Sequence, residues 1–149
     1  MRTKEEMGNK LNELLEKSYD AREGFNAASK NAKNRKLQEF FKQKSQEREI
    51  FIKELREEIT GYGQIPKEDG SAKGDIHRTW MKLKSSVESD NDEAMLEESL
   101  RGEKAALEDY KDITKEKDLP PSLSSKLNRQ QQNIQSSINN VKVYEQMFD

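Results

Sequence analysis

Hydrophobic residues recur every three or four positions along four long stretches of the chain, which is the period of an amphipathic α-helix. Thr3 and Glu6 have the spacing of a helix-capping box and predict the start of the first helix. Its apolar face is Met7, Leu11, Leu14, Ser18, Ala21, Phe25, Ala28 and Ala32. Asn34 is a candidate N-cap for a second helix, which we expect to end near Gly61 and Gly63. The apolar face of this second helix is Leu37, Phe41, Phe51, Leu55 and Ile59.

The second half of the chain carries two more such stretches. The third long helix is predicted from Asp92 to Lys117, with an apolar stripe at Leu96, Leu100, position 103, Leu107 and Tyr110. Proline is tolerated in the first turn of a helix and disrupts later turns, so Pro120 and Pro121 predict the start of a fourth helix. The apolar face of the fourth helix is Leu123, Leu127, Gln130, Ile134, Ile138, Val141, Tyr144 or Glu145, and Phe148.

A long connection from Tyr62 to about Asn91 separates the two helix pairs. It begins as a loop and then repeats hydrophobic residues at helical spacing, at Ile76, Trp80, Leu83 and Val87. We expect a short crossover helix there, with Trp80 lying flat over one end or one side of the bundle. Two tight hairpins joined by one long crossover make the second and third long helices parallel. The pattern predicts an all-α fold, a ferritin-like four-helix bundle with a short crossover helix, in one domain over residues 1–149.

The composition is unusually polar, with 38% charged residues and a mean hydropathy of -1.18. Such values raise the possibility of disorder, but the net charge is only -2 and the apolar residues are regularly spaced. The chain has no cysteine, which excludes disulfides and thiolate sites. We recognise no signal peptide and no apolar run near the roughly 20 residues of a membrane span, and we expect a cytoplasmic protein.

Polar residues interrupt every long helix near its middle. Glu103 occupies a position of the third apolar stripe where a hydrophobic residue would be expected, and Gln130 does the same in the fourth helix. In the second helix, the polar run from Lys44 to Glu49 brings Glu47 or Arg48 toward the interior. In the first helix, Ser18 lies in the stripe, with Arg22 and Glu23 beside it. These residues fall in one layer about halfway along the predicted bundle.

Two interpretations fit this layer. Glu23, Glu47 and Glu103 could be oxygen ligands of iron or manganese, with Gln130 as a fourth group. Alternatively, Arg22 or Arg48 neutralises Glu103 within a buried polar network. Di-metal sites of ferritin-like bundles normally use Glu-x-x-His, and the single histidine lies outside the layer, in the crossover. We therefore expect an ion pair and no cofactor, and we keep a degenerate metal site as the alternative.

No other pattern predicts catalysis. His77 is a lone histidine without a positioned acid or nucleophile, and the chain has no glycine-rich phosphate loop and no Gly-x-Ser-x-Gly. A basic cluster at the first hairpin, formed by Lys30, Lys33, Arg35 and Lys36, is small and interspersed with asparagine. The balanced charge does not favour nucleic-acid binding. We expect no catalytic residue, no cofactor-binding residue and no nucleic-acid partner.

The fourth helix lacks acidic residues from Leu119 to Tyr144, whereas the other helices carry charges of both signs. Charged residues are depleted at the centres of protein interfaces. We therefore expect Gln131, Gln135 and Asn139 to form a contact with a second copy of the chain or with another helical protein.

Several segments together resemble a bacterial family of ferritin-like four-helix-bundle proteins of unknown function. In the first helix they are Leu11-Asn12-Glu13-Leu14-Leu15 and Glu23-Gly24-Phe25. The crossover contributes the run from Gly74 to Lys84 with its His-Arg-x-Trp, the third helix contributes Glu97 to Glu103 with its Arg-Gly-Glu, and the fourth begins with Leu119-Pro120-Pro121. The resemblance implies the fold, a bacterial cytoplasmic origin and a stress-associated role, and it brings no established activity. We therefore expect a non-enzymatic interaction or stress-associated protein.

Overall fold

The chain forms five helices in the computed structural model, which describes residues 2–70, 74–85 and 91–147, apart from the side chains of residues 75, 76 and 85. The helices are α1 (Lys4–Asn31), α2 (Arg35–Gly61), α3 (Asp75–Ser85), α4 (Asp92–Thr114) and α5 (Pro121–Met147). No strand occurs within these ranges. The predicted all-α fold is confirmed, with α3 as the crossover helix between two pairs of long helices. The predicted apolar positions Ile76, Val87 and Phe148 lie outside the described side chains.

Local capping signals set where three of the helices begin. The Thr3 side chain accepts a hydrogen bond from the Glu6 backbone N–H at 3.1 Å, and the Glu6 carboxylate accepts one from the Thr3 N–H at 3.4 Å. The predicted capping box is therefore present. Asn34 caps α2 by accepting hydrogen bonds from two backbone N–H groups of its first turn. Asn91 caps α4 in the same manner. Each cap satisfies backbone donors that the first turn of a helix leaves free.

Contacts between the hairpins fix the directions of the helices. Along α1 and α4, Lys17 pairs with Asp109 at 2.9 Å, and the Lys33 backbone N–H at the far end of α1 donates to Asp92 at 2.8 Å. These two helices are therefore antiparallel. Lys126 at the start of α5 pairs with Glu58 near the end of α2, so those two are antiparallel as well. It follows that α2 and α4 run parallel, which confirms the predicted connectivity, the one that ferritin-like folds share.

The short helix α3 fills the groove between α1 and α4. Its Trp80 and Leu83 are both fully buried, in the same core cluster as Phe25, Phe41 and Leu96. A methyl group placed on Gly102 would approach the Trp80 ring to 2.6 Å, so α4 admits the indole only because residue 102 has no side chain. Trp80 was expected to lie over one end or one side of the bundle. It is instead inserted between two helices, because small residues face it.

None of the helices within the described ranges is long and apolar enough to cross a membrane. The assignment of residues 1–149 to one domain stays a prediction.

Candidate functional site

The centre of the bundle is an ion pair between α2 and α4. Glu103 is 0% exposed and Arg48 is 2% exposed. The Arg48 Nη1 donates to Glu103 Oε2 at 3.3 Å, and Nη2 donates to Oε1. Because both carboxylate oxygens accept from one guanidinium, the pair is bidentate, the geometry that best offsets the cost of burying the two charges. The expectation that an arginine neutralises Glu103 is confirmed, with Arg48 as the partner.

Three aromatic rings surround the guanidinium of Arg48. Its central carbon lies 5.0 Å from the ring centroid of Phe51, 5.6 Å from Phe25 and 5.9 Å from Trp80. One ring comes from each of α2, α1 and α3. The negative face of an aromatic ring attracts a cation within about 6 Å. The rings therefore hold Arg48 in place beside Glu103.

A second polar chain runs through the layer beside the ion pair. The Tyr110 hydroxyl donates to Gln130 Oε1 at 2.6 Å, and Gln130 Nε2 donates to Glu54 Oε1 at 3.1 Å. Arg129 also pairs with Glu54 at the protein surface. Burial raises the pKa of the Tyr110 phenol well above its ordinary value, because ionisation would place an unsolvated charge in the core; the nearby Arg48 cation opposes this only in part. Tyr110 is thus a neutral hydrogen-bond donor at physiological pH.

The four candidate metal ligands are not brought together. Glu23 is exposed and lies 3.8 Å from the Lys84 amine, and Glu47 accepts a hydrogen bond from Lys44 at 2.8 Å. Glu103 is bound by Arg48, and Gln130 is bound by Tyr110. Among the residues that the structure describes, no group of three or more His, Cys, Asp and Glu side chains could hold a metal ion.

The second arginine named as a possible partner of Glu103 points elsewhere. Arg22 donates to Glu49 at 2.6 Å on the α1–α2 surface. The α1 side of the layer is instead completed by Ser18, which donates to the Leu14 carbonyl at 2.8 Å. The layer therefore contains two buried cations: Arg48, which is matched to the buried Glu103, and Lys44, which is matched to the half-buried Glu47.

His77, the single histidine, lies at the start of α3 with Nδ1 3.3 Å from Asp20 Oδ1. Asp20 is only 3% exposed and also lies against Gly70 of the connecting loop. Asn12 bonds the same loop twice, donating to the Ile65 carbonyl at 3.1 Å and accepting from the Lys67 N–H at 2.9 Å. These polar residues of α1 attach the crossover to the bundle, a role that their spacing in the sequence does not reveal.

The predicted contact face on α5 is only partly free. Gln135 and Asn139 are exposed and bonded to each other at 3.1 Å, whereas Gln131 is half-buried and accepts from Thr114 at 2.7 Å. The structure also accounts for part of the acid depletion of this helix. Glu54, Glu57 and Glu58 of α2 supply the carboxylates that pair with the basic residues of α5.

A shallow groove between α2 and α5 was not predicted. It has a volume of about 210 Å³. Phe51 forms part of its lining, together with Ile50, which is 57% exposed, and Asn133. Ile50 directly follows the polar run of α2 and lies outside its apolar stripe, so the stripe did not identify it. The groove lies on the opposite side of the bundle from α3.

Comparison with known proteins gives a family and no activity. The family model described as "Domain of unknown function (DUF2383)" matches residues 6–116. That span includes α1 to α4, the crossover and the Arg48–Glu103 pair, and it ends before α5. No curated protein and no solved structure matches the chain.

Proposed function

We propose that this chain, which belongs to the DUF2383 family of domains of unknown function, is a non-enzymatic ferritin-like bundle that acts by binding other proteins and that associates with a second copy of itself through α5. The order and directions of its helices support the ferritin-like relationship. A bacterial cytoplasmic location and a stress-associated role belong to the same proposal and rest on the resemblance of the sequence.

The observation that carries the proposal is an uncharged band on α5. Residues 131–141 contain no Asp, Glu, Lys or Arg, in a chain with 38% charged residues. The exposed side chains of the band are Gln132, Gln135, Ser136, Asn139 and Asn140. Amides and hydroxyls can form hydrogen bonds across a contact, whereas buried charges lose hydration that an interface repays poorly. The acidic residues of α2 pair with Lys126 and Arg129 of α5, and both of these lie outside the band. This pairing therefore does not explain why the band has no charged residue.

The centre of the bundle supports a structural role. Glu103 is the one fully buried carboxylate of the polar layer, and Arg48 occupies both of its oxygens. A hydrophobic environment closed by three aromatic rings leaves the pair without an open coordination position. Such a pair restricts which helices can face each other.

Sedimentation equilibrium tests the proposed self-association. We expect the protein to form dimers as its concentration is raised, and the variant Gln135→Glu with Asn139→Lys to weaken the dimer at least tenfold, because it places charges in the contact. The matched control is Asn26→Glu with Asn9→Lys, which makes the same charge changes at exposed positions of α1. It should leave dimerisation unchanged. A protein that stays monomeric at millimolar concentration contradicts self-association.

The alternative is a ferritin-like protein with a degenerate iron or manganese site. It would require Arg48 to leave Glu103 and at least one further carboxylate to enter the core. The nearest candidate by element, Glu47, is half-buried and paired with the buried amine of Lys44 at 2.8 Å. The metal content of the purified protein distinguishes the two functions.

A further inference from the structure

Three of the exposed hydrophobic residues lie on the neighbouring helices α2 and α5. Among the described residues, four large hydrophobic side chains are exposed: Ile50, Val143 and Met147 at 57% each, and Ile65 at 87%. Ile65 lies in the loop after α2, whereas the other three lie on α2 and α5. Val143 and Met147 follow the uncharged band along α5. A concentration of exposed hydrophobic residues beside an uncharged surface is typical of an interaction site.

The groove between α2 and α5 offers a place for such a side chain. Phe51 and Ile50 supply its apolar surface, and the charged residues Glu47, Glu54 and Arg129 line it as well. Its volume of about 210 Å³ is below the roughly 300–1,000 Å³ of pockets that bind small molecules. On the opposite side of the bundle, the corresponding groove is occupied by an inserted residue, Trp80. The α2–α5 groove is therefore suited to one or two side chains from another helix.

The positions of groove and exposed side chain on α5 are self-complementary. Asn133 lines the groove, and Val143 lies ten residues further along the same helix, a distance of about 15 Å. If a second α5 runs antiparallel about a two-fold axis near residue 138, each Val143 comes level with the groove of the other copy. A two-fold contact uses the same surface of both copies, so each copy inserts its Val143 and each copy receives the Val143 of the other.

The residues around that axis permit close approach. Ser136 has a small side chain, and Gln132, Asn139 and Asn140 can exchange amide hydrogen bonds with their counterparts. Because the band is uncharged in both copies, this pairing desolvates no charge within it. Docking of the band on the charge-rich outer surface of α2 or α4 would instead remove charged side chains from water.

We infer that the partner of α5 is a second copy of this chain in antiparallel orientation, with Val143 of each copy inserted into the α2–α5 groove of the other. The inference rests on the proposed self-association and specifies its geometry. It also explains why Ile50 is exposed at 57% beside the groove, although the next two residues, Phe51 and Ile52, are buried.

Charge substitutions test the insertion. Ile50→Asp and Val143→Asp should each raise the dimer dissociation constant at least tenfold in sedimentation equilibrium, because each places a carboxylate in an apolar contact. Ile65→Asp is the matched control, since Ile65 is exposed and hydrophobic but lies away from the groove. It should leave the dissociation constant within twofold of the wild-type value. Circular dichroism verifies that all three variants are folded.

Distances between spin labels test the orientation. The chain has no cysteine, so Gln132→Cys, Ser136→Cys and Gln146→Cys each introduce a single labelling site. In the antiparallel dimer, the axial separation of the two labels grows by about 3 Å for each residue away from position 138, twice the helical rise. The separation is therefore shortest at position 136 and longest at 146. A parallel pair gives equal axial separations at all three sites.

The outcomes separate this inference from the function on which it rests. A wild-type protein that remains monomeric overturns both. A dimer that is weakened by Gln135→Glu with Asn139→Lys, but shows equal label separations or tolerates Ile50→Asp and Val143→Asp, leaves the proposed function standing and overturns the inserted antiparallel geometry.

Discussion

At the scale of single residues, the Arg48–Glu103 pair determines what the centre of the bundle can do. A carboxylate at a stripe position would be prohibitively costly if it were isolated, and here it is compensated by two hydrogen bonds from a buried guanidinium. Such a pair adds little net stability relative to well-packed hydrophobic residues. Its loss on one side only is costly, because the remaining charge stays buried.

Removing one partner of the pair should therefore lower the free energy of unfolding far more than removing both. We expect Glu103→Ala to lower the free energy of unfolding by about 3–5 kcal/mol, because Arg48 is left buried without a counter-charge. The double variant Arg48→Met with Glu103→Leu should recover most of that loss. Urea unfolding followed by circular dichroism measures both effects. A loss below about 1 kcal/mol for Glu103→Ala would show that Arg48 reaches water or another anion and that the pair is not closed.

The buried phenol of Tyr110 predicts a dependence of stability on pH. Its pKa in the folded protein is raised by burial, so the folded state keeps the proton that the unfolded chain loses near pH 10. The stabilisation is fully present below pH 10 and is lost as the pH rises above it, by up to about 1.4 kcal/mol per pH unit.

Tyr110→Phe tests this dependence, because it removes the titrating group. The free energy of unfolding of the wild-type protein should fall more steeply than that of the variant between pH 10 and 11.5. Parallel curves would contradict a buried, neutral phenol. At neutral pH the variant should also lose about 1–2 kcal/mol, since Gln130 Oε1 then has no donor from residue 110.

At this scale the sequence predicts some contacts and not others. The spacing of Glu103 within its stripe indicates that it is buried and needs a cation, but Arg22 and Arg48 lie at the same level and cannot be distinguished by spacing. The structure selects Arg48 because its side chain faces the core, whereas Arg22 pairs with Glu49 on the surface. The contact of Asp20 with Gly70 depends on the path of the crossover loop, which local patterns do not determine.

At the scale of secondary-structure elements, α3 joins the two hairpins. Periodicity and capping predict the helices well, because each apolar face and each cap is a local property. The depth at which α3 packs depends on residues of other helices. It follows from Gly24 on α1 and Gly102 on α4, which together leave space for the Trp80 ring. The two glycines occupy helical positions where the sequence alone suggests only a small loss of helix propensity.

Adding a methyl group at position 102 should displace α3. We expect Gly102→Ala to lower the free energy of unfolding by about 1–3 kcal/mol, because the rigid indole must move. The single tryptophan of the chain reports the change: its emission should shift to longer wavelength as Trp80 gains contact with water. Gly61→Ala is the control, since that position has open space around it and alanine there should be neutral or stabilising by up to about 1 kcal/mol. Unchanged emission from Gly102→Ala would contradict the tight insertion of Trp80.

At the scale of the whole molecule, the two sides of the bundle differ in how they are closed. The α1–α4 side is covered by α3 and its loop, and its central layer is sealed by the ion pair and the aromatic rings. The α2–α5 side is held at its surface by pairs such as Lys126 with Glu58, and it leaves a groove next to an uncharged band. We therefore propose that this protein makes its contacts through the α2–α5 side and that its centre has a structural role.

The metal content of the protein, purified without an affinity tag, tests the central claim of this account most directly, because a closed Arg48–Glu103 pair leaves no carboxylate free for a metal in the core. Mass spectrometry for iron, manganese and zinc should find far less than one equivalent per chain, with no difference between the wild-type protein and Glu103→Gln. One or two equivalents of any of these metals, lost in Glu103→Gln, would contradict the account and identify the central layer as a metal site.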